Sequence, residues 1–153
     1  MSLHFDTIED AIIDAIRNAS DMSYLATCEH YAGQGFAEED LRELSVNFPA
    51  VFVILAEMPV EKIDEINYNL QPLFRVLAAA ENHMGRDDAK KAAYAIVKDV
   101  LAVITNNTFG LAIESLTLRS VQLVYIDNYR AVYGLEFQTD FDATYDYKED
   151  LWQ

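Results

Sequence analysis

Hydrophobic and polar positions along this chain repeat with two different periods, and the switches between them divide it into elements. Ile8, Ala11, Ile12, Ala15, Ile16 and Ala19 recur three and four residues apart, which predicts a helix over residues 6–19 with one apolar stripe. Asp6 with Glu9, or Thr7 with Asp10, supplies a capping-box start, and the acids suit the positive end of the helix. The same spacing returns at Ala89, Ala92, Ala93, Ile96, Val97, Val100, Val103 and Ile104. This predicts a second long helix over 86–105, opened by Asp87 and Asp88 and stopped by Asn106, Asn107 and Gly110. A short acidic helix is expected at 37–44, with Leu41 and Leu44 on its inner side, after a flexible loop at 32–35.

Period two governs the rest. Residues 23–31 alternate and read as a strand. Residues 49–57 are apolar on both faces through Val51, Phe52, Val53, Ile54 and Leu55, the pattern of a central strand covered on both sides. A polar connection is expected at 58–65, then a long extended segment at 66–80. Pro72 cannot donate to a ladder, so it marks an edge or a bulge there. The run Val76, Leu77, Ala78, Ala79, Ala80 has helical propensity but no helical period upstream, so it is read as strand. Residues 116–142 form two long strands joined near Asp127 and Asn128. On the second, Tyr133, Leu135, Phe137 and Phe141 face one way, and Glu136, Gln138 and Asp140 the other. The expected order is α-β-α-β-β-α-β-β. It describes an α/β (α+β) domain, a mostly antiparallel sheet packed with two long helices and one short one. Residues 1–153 are read as a single domain, with a core at about 5–142 and an acidic, aromatic tail at 143–153.

Composition narrows the function classes. The chain has 153 residues, 52% hydrophobic and 24% charged, enough for a core without staples. A formal charge of −15 with 11 scattered basic residues repels nucleic acid, so sequence-specific nucleic-acid binding is set aside. No apolar run approaches the ~20 residues of a membrane span. The first residues lack the basic region and apolar core of a signal peptide. With the lone Cys28 ruling out an intrachain disulfide, a cytoplasmic protein without a membrane partner is expected.

Candidate chemistry is sparse. His4, His30 and His83 have no metal-ligand spacing with one another or with Cys28. Cys28, inside a strand, reads as a small packed hydrophobe. The acids at Glu38, Glu39 and Asp40, at Asp87 and Asp88, and at Asp140, Asp142 and Asp146 sit at helix starts or in the terminal segment, where solvated acids are the rule. Gly33-Gln34-Gly35 is too short for a phosphate loop. No catalytic residue, cofactor site or metal site is assigned, and the chain is expected not to be an enzyme.

Four segments taken together resemble a known family. They are Ile8-Glu9-Asp10-Ala11-Ile12-Ile13; Phe48-Pro49-Ala50-Val51-Phe52-Val53; Arg119-Ser120-Val121; and Ala131-Val132-Tyr133-Gly134-Leu135-Glu136-Phe137-Gln138-Thr139 with Phe141-Asp142. Over about residues 5–145 the chain resembles the Mu-type prophage tail protein family, which is similar in role to tail terminators such as the lambda U protein. The resemblance implies an α/β protein that forms a ring, commonly hexameric, on the last turn of the tail tube, stops its growth and offers a surface to the head–tail connector. The implied partners are further copies of itself, the tube protein and the connector. The implied setting is the bacterial host cytoplasm during assembly, and then the virion tail. Six copies at −15 would carry about −90, so ring closure should depend on salt or divalent ions. Candidate contact residues are Arg75 and Arg119, lone cations on long strands that would pair with a neighbour's carboxylate or with one in the same chain. Phe141, Tyr145 and Trp152 are aromatic anchors of a docking arm, unless the segment is a solvated acidic tail. The alternative function is a small non-enzymatic bacterial adaptor or ligand-binding domain, which would need an apolar pocket with convergent polar groups.

Overall fold

The computed structural model describes residues 5–31 and 47–144. Helix α1 (Phe5–Asn18) buries Ile8, Ile12 and Ile16 of the predicted stripe, and Ile13 beside it. A 3-10 turn at Ser20–Met22 follows, then strand β1 (Thr27–His30). The predicted strand over 23–31 loses its first half because Ser23 and Leu25 donate backward to the Ser20 and Met22 carbonyls. The Tyr24 hydroxyl, donating to Asp99 at 2.7 Å, fastens this turn to the second helix. Burial, then the bond to the Asp99 carboxylate, raises the Tyr24 pKa above its ordinary value.

Strand β2 (Ala50–Glu57) is buried on both faces over Ala50, Val51, Phe52 and Val53, as its apolar run predicts. Residues expected to be a polar connection instead contain strand β3 (Val60–Lys62), antiparallel to β4 (Asn67–Leu70). The turn between them is built by Asp64, whose carboxylate accepts the Ile66 and Asn67 amides and the Asn67 side-chain amide. All three β3 residues are exposed, so no alternation marked this strand in the sequence.

The extended segment expected over 66–80 is two strands in two sheets. It breaks at Gln71 and Pro72 between β4 and β5 (Leu73–Glu81). Pro72 has no N–H for the ladder, and its carbonyl accepts the Thr139 amide instead. The Val76–Ala80 run is strand, as read: β5 is paired along both sides, to β2 and to β7 (Arg130–Gln138), and two ladders outweigh alanine's helical propensity. Helix α2 (Arg86–Ile104) buries Ala89, Ala93, Ile96, Val97, Val100 and Ile104. Asn106, at φ 62°, turns the chain away from it.

The closing hairpin pairs β6 (Thr117–Ile126) with β7. Residues beyond β7 leave that sheet at Thr139, and β8 (Phe141–Thr144) pairs with β4. The described residues therefore form a five-stranded sheet, β1-β2-β5-β7-β6, and a three-stranded sheet, β3-β4-β8. All pairings in both are antiparallel except β1 with β2. Both helices contribute to one large core with Val51, Val53, Val76, Ala78, Leu135 and Phe137. Leu70 and Phe141, opposite each other in the small sheet, anchor it to that core. On the other face Ala50, Phe52, Leu77, Ala79 and Val132 form a second cluster, with Tyr31, Phe48 and Tyr125 packed on it. The predicted short helix at 37–44 lies outside the described residues.

Candidate functional site

The two edges of the five-stranded sheet differ in kind. β1 is four residues long. The Thr27 and Tyr31 amides donate to the Pro49 and Val53 carbonyls, so the Cys28 carbonyl faces outward, and there Arg17 of α1 donates to it through Nε at 2.8 Å and Nη2 at 2.5 Å. Just beyond β1 the exposed flank of β2 is closed in the same way, the Leu55 amide donating to the Glu9 carboxylate at 2.9 Å. Side chains from α1 thus occupy backbone groups that would otherwise solicit another strand.

β6 forms the opposite edge and spans ten residues. Among the described residues it pairs with β7 on one side only, and Val121, Leu123 and Val124 are exposed along it, Leu123 at 51%. The register puts Leu123 opposite Tyr133. Tyr133 contacts Tyr94 of α2, rings 5.3 Å apart and hydroxyls at 3.2 Å. That hydrogen bond, with some burial, pushes the Tyr133 pKa up to about 12. A half-exposed apolar strip, Tyr94, Tyr133, Leu123 and Val121, therefore runs from helix to sheet edge. Irregularities at Arg119 and Val124 bend the strand. Gly134 lies under the second of them: a Cβ there would stand 3.1 Å from the Val124 Cγ2.

The predicted contact residues are dispersed. Arg119 is on this edge, its Nε donating to the Gln138 side-chain oxygen at 2.8 Å. Arg75 is two strands away, on the face opposite the helices, and donates to Glu136 at 2.7 Å. Glu136 also accepts from Ser120, which makes a ladder across β5, β7 and β6. Phe141 is 7% exposed and packed in the main core, so its ring is engaged within the chain. Tyr145 and Trp152 lie outside the described residues. Among the described titratable groups, His30 contacts Asp10 at 2.8 Å and Glu9 at 3.8 Å. His83 contacts Glu81 at 3.4 Å. Burial pushes the Cys28 thiol up to about 11 against the Arg17 charge, so it is a neutral thiol at pH 7.

A shallow depression of about 660 Å³ lies on the face opposite the helices, between Tyr31, Ile54, Leu77, Val124 and Tyr125. The charged group at its rim, Arg75, is already taken by Glu136, and the Tyr125 hydroxyl donates to Asp127. The β6 strip was legible only in part. Its apolar residues stand in the sequence, but their exposure depends on β6 ending the sheet, which no local pattern states.

A comparison with curated proteins finds no match. Residues 4–142 match the family described as Bacteriophage Mu, Gp37. The match runs from the start of α1 into β8 and so takes in both sheets and both helices. The chain belongs to the bacteriophage Mu Gp37 family.

Proposed function

We propose that this chain is a structural, non-enzymatic part of a phage tail, a terminator that closes into a ring on the tail tube and presents a surface to the head–tail connector. The observation that supports this most directly is the open β6 edge with its apolar strip. Unpaired strand edges recruit other strands, and soluble monomers ordinarily blunt them. Among the described residues, one side of the sheet is sealed by Arg17 and Glu9, while β6 on the other side pairs with β7 alone. Pairing every open edge in a closed ring leaves none to extend, which is the property a growth-stopping cap needs. Its partners in this reading are other copies, six in a hexamer, together with the tube protein and the connector. Assembly takes place in the host cytoplasm, and the product stays in the virion tail.

The reading is tested on wild type and Leu123→Glu by size-exclusion with light scattering, with and without tube protein. Wild type forms a discrete oligomer, and Leu123→Glu remains a folded monomer. Electron microscopy of tails made without the protein then shows tubes of variable length. A wild-type chain that stays monomeric even on tube ends, or tails of uniform length in its absence, refutes the proposal.

A further inference from the structure

A ring of identical copies joins two different surfaces, so the β6 edge can be only half of the contact. Where that contact is strand pairing, the other half is an unpaired edge elsewhere on the molecule. The β1 edge is occupied by Arg17 and the end of β2 by Glu9. Among the described residues, unpaired edges remain in the small sheet, where β3 pairs with β4 alone. β3 is exposed throughout, and the hairpin carries exposed apolar side chains at Val60, Ile63 and Ile66, with Ile63 at 56%. The Asp64 turn holds the hairpin tip with three hydrogen bonds.

Charge separates the two surfaces in the sense that brings them together. β6 contains no carboxylate and one cation, Arg119. Residues 57–65 contain Glu57, Glu61, Asp64 and Glu65 against the single Lys62. Asp64 is used by the turn and Glu65 pairs with Lys62 at 3.7 Å. Glu57, before β3, and Glu61, within it, have no ion-pair partner among the described residues. In a chain of net charge −15, an acid-free edge is where an acidic hairpin from another copy meets least repulsion.

Building on the ring reading above, we infer that the β6 edge of one copy receives the β3–β4 hairpin of the next. β3 extends the five-stranded sheet of its neighbour, Val60 covers the Val121–Leu123 strip, and Ile63, just beyond β3 at the hairpin tip, packs against the end of the same edge. The contact is head-to-tail, so each copy has one edge to give and one to receive.

The test uses the full chain with two substitutions at residues more than half exposed, Leu123→Glu on the receiving edge and Ile63→Asp on the hairpin. Circular dichroism and thermal melting matched to wild type establish that both fold. Each variant alone is expected to run as a monomer where wild type is oligomeric. Mixed in equal amounts they form a one-to-one dimer and nothing larger, because one intact hairpin meets one intact edge. If wild type assembles but Ile63→Asp assembles equally well, or if the mixture stays monomeric, the hairpin contact is wrong and the ring reading stands. If Ile63→Asp stops at a dimer by itself, two β6 edges are pairing with each other. A wild-type chain that never assembles overturns both readings.

Discussion

At the scale of single residues, side chains that close local backbone decide more than any reactive group. Asp127 is the clearest case. Its carboxylate accepts the amides of Tyr129 and Arg130 and the hydroxyl of Tyr125, and so fixes the turn between β6 and β7. Burial by itself raises the pKa of Asp127, but these three hydrogen bonds and the Arg130 charge outweigh it and hold the group below its ordinary value. A carboxyl depressed in the folded state contributes stability that is fully present above its unfolded pKa of about 3.9 and is lost as pH falls through the folded one. Asp127→Ala is therefore expected to cost about 1 kcal/mol at pH 7, the lower end for a charged hydrogen-bonding group because it is partly exposed. That difference shrinks on acidification below pH ~4. Urea melts of both chains at pH 7 and pH 3 would check it, and an unchanged difference would contradict the account. Residues of this type were legible as turn formers but not as partners. Asp127 and Asn128 marked the join, and the Tyr125 bond is local to it, whereas Arg17 on Cys28 and Glu9 on Leu55 link residues brought together only by the fold.

At the scale of elements, what the sequence declared depended on burial. α1, α2 and β2 were readable because one or both faces are covered, so their apolar residues recur with the period of the element. β3 was missed because all of it is exposed, and the 66–80 segment was read as one strand because period two continues on both sides of Pro72. The sheet change there is visible only where Thr139 meets Pro72. The same division predicts two mutational classes. Ile12→Ala empties a fully buried position on α1 and should cost about 2–5 kcal/mol. Leu123→Glu on β6 should change monomer stability by no more than about 0.5 kcal/mol while abolishing assembly. Gly134→Val falls between them, because its side chain would press on Val124 Cγ2, and should cost about 1–3 kcal/mol. Chemical denaturation of the monomer would rank the three, and any other order would show that the edge is not an independent surface.

At the scale of the whole molecule, the net charge of −15 sets the terms of association. Raising ionic strength from about 0.01 M to 0.15 M shortens the screening length from about 30 Å to 8 Å. Copies that repel across their acidic surfaces then approach, while the apolar strip is not weakened. The proposed oligomer is expected to strengthen over this range, which sedimentation across a salt series would reveal. Weakening with salt would mean that attractive ion pairs, rather than apolar contact, hold the copies together. The sheet edge was the least legible part, because which strand ends the sheet is a property of the whole fold. Arg119 reaches the edge, but Arg75 and Phe141 are engaged inside the chain.

The guanidinium of Arg17 over the Cys28 carbonyl has a consequence at this scale. A sheet with one live border makes assemblies that can finish; a sheet with two invites fibrils. Arg17→Ala would uncover the second border without touching the core. Such a chain is expected to fold and then to form open-ended, dye-binding aggregates. On this account a single arginine separates a particle that counts its subunits from a material that does not.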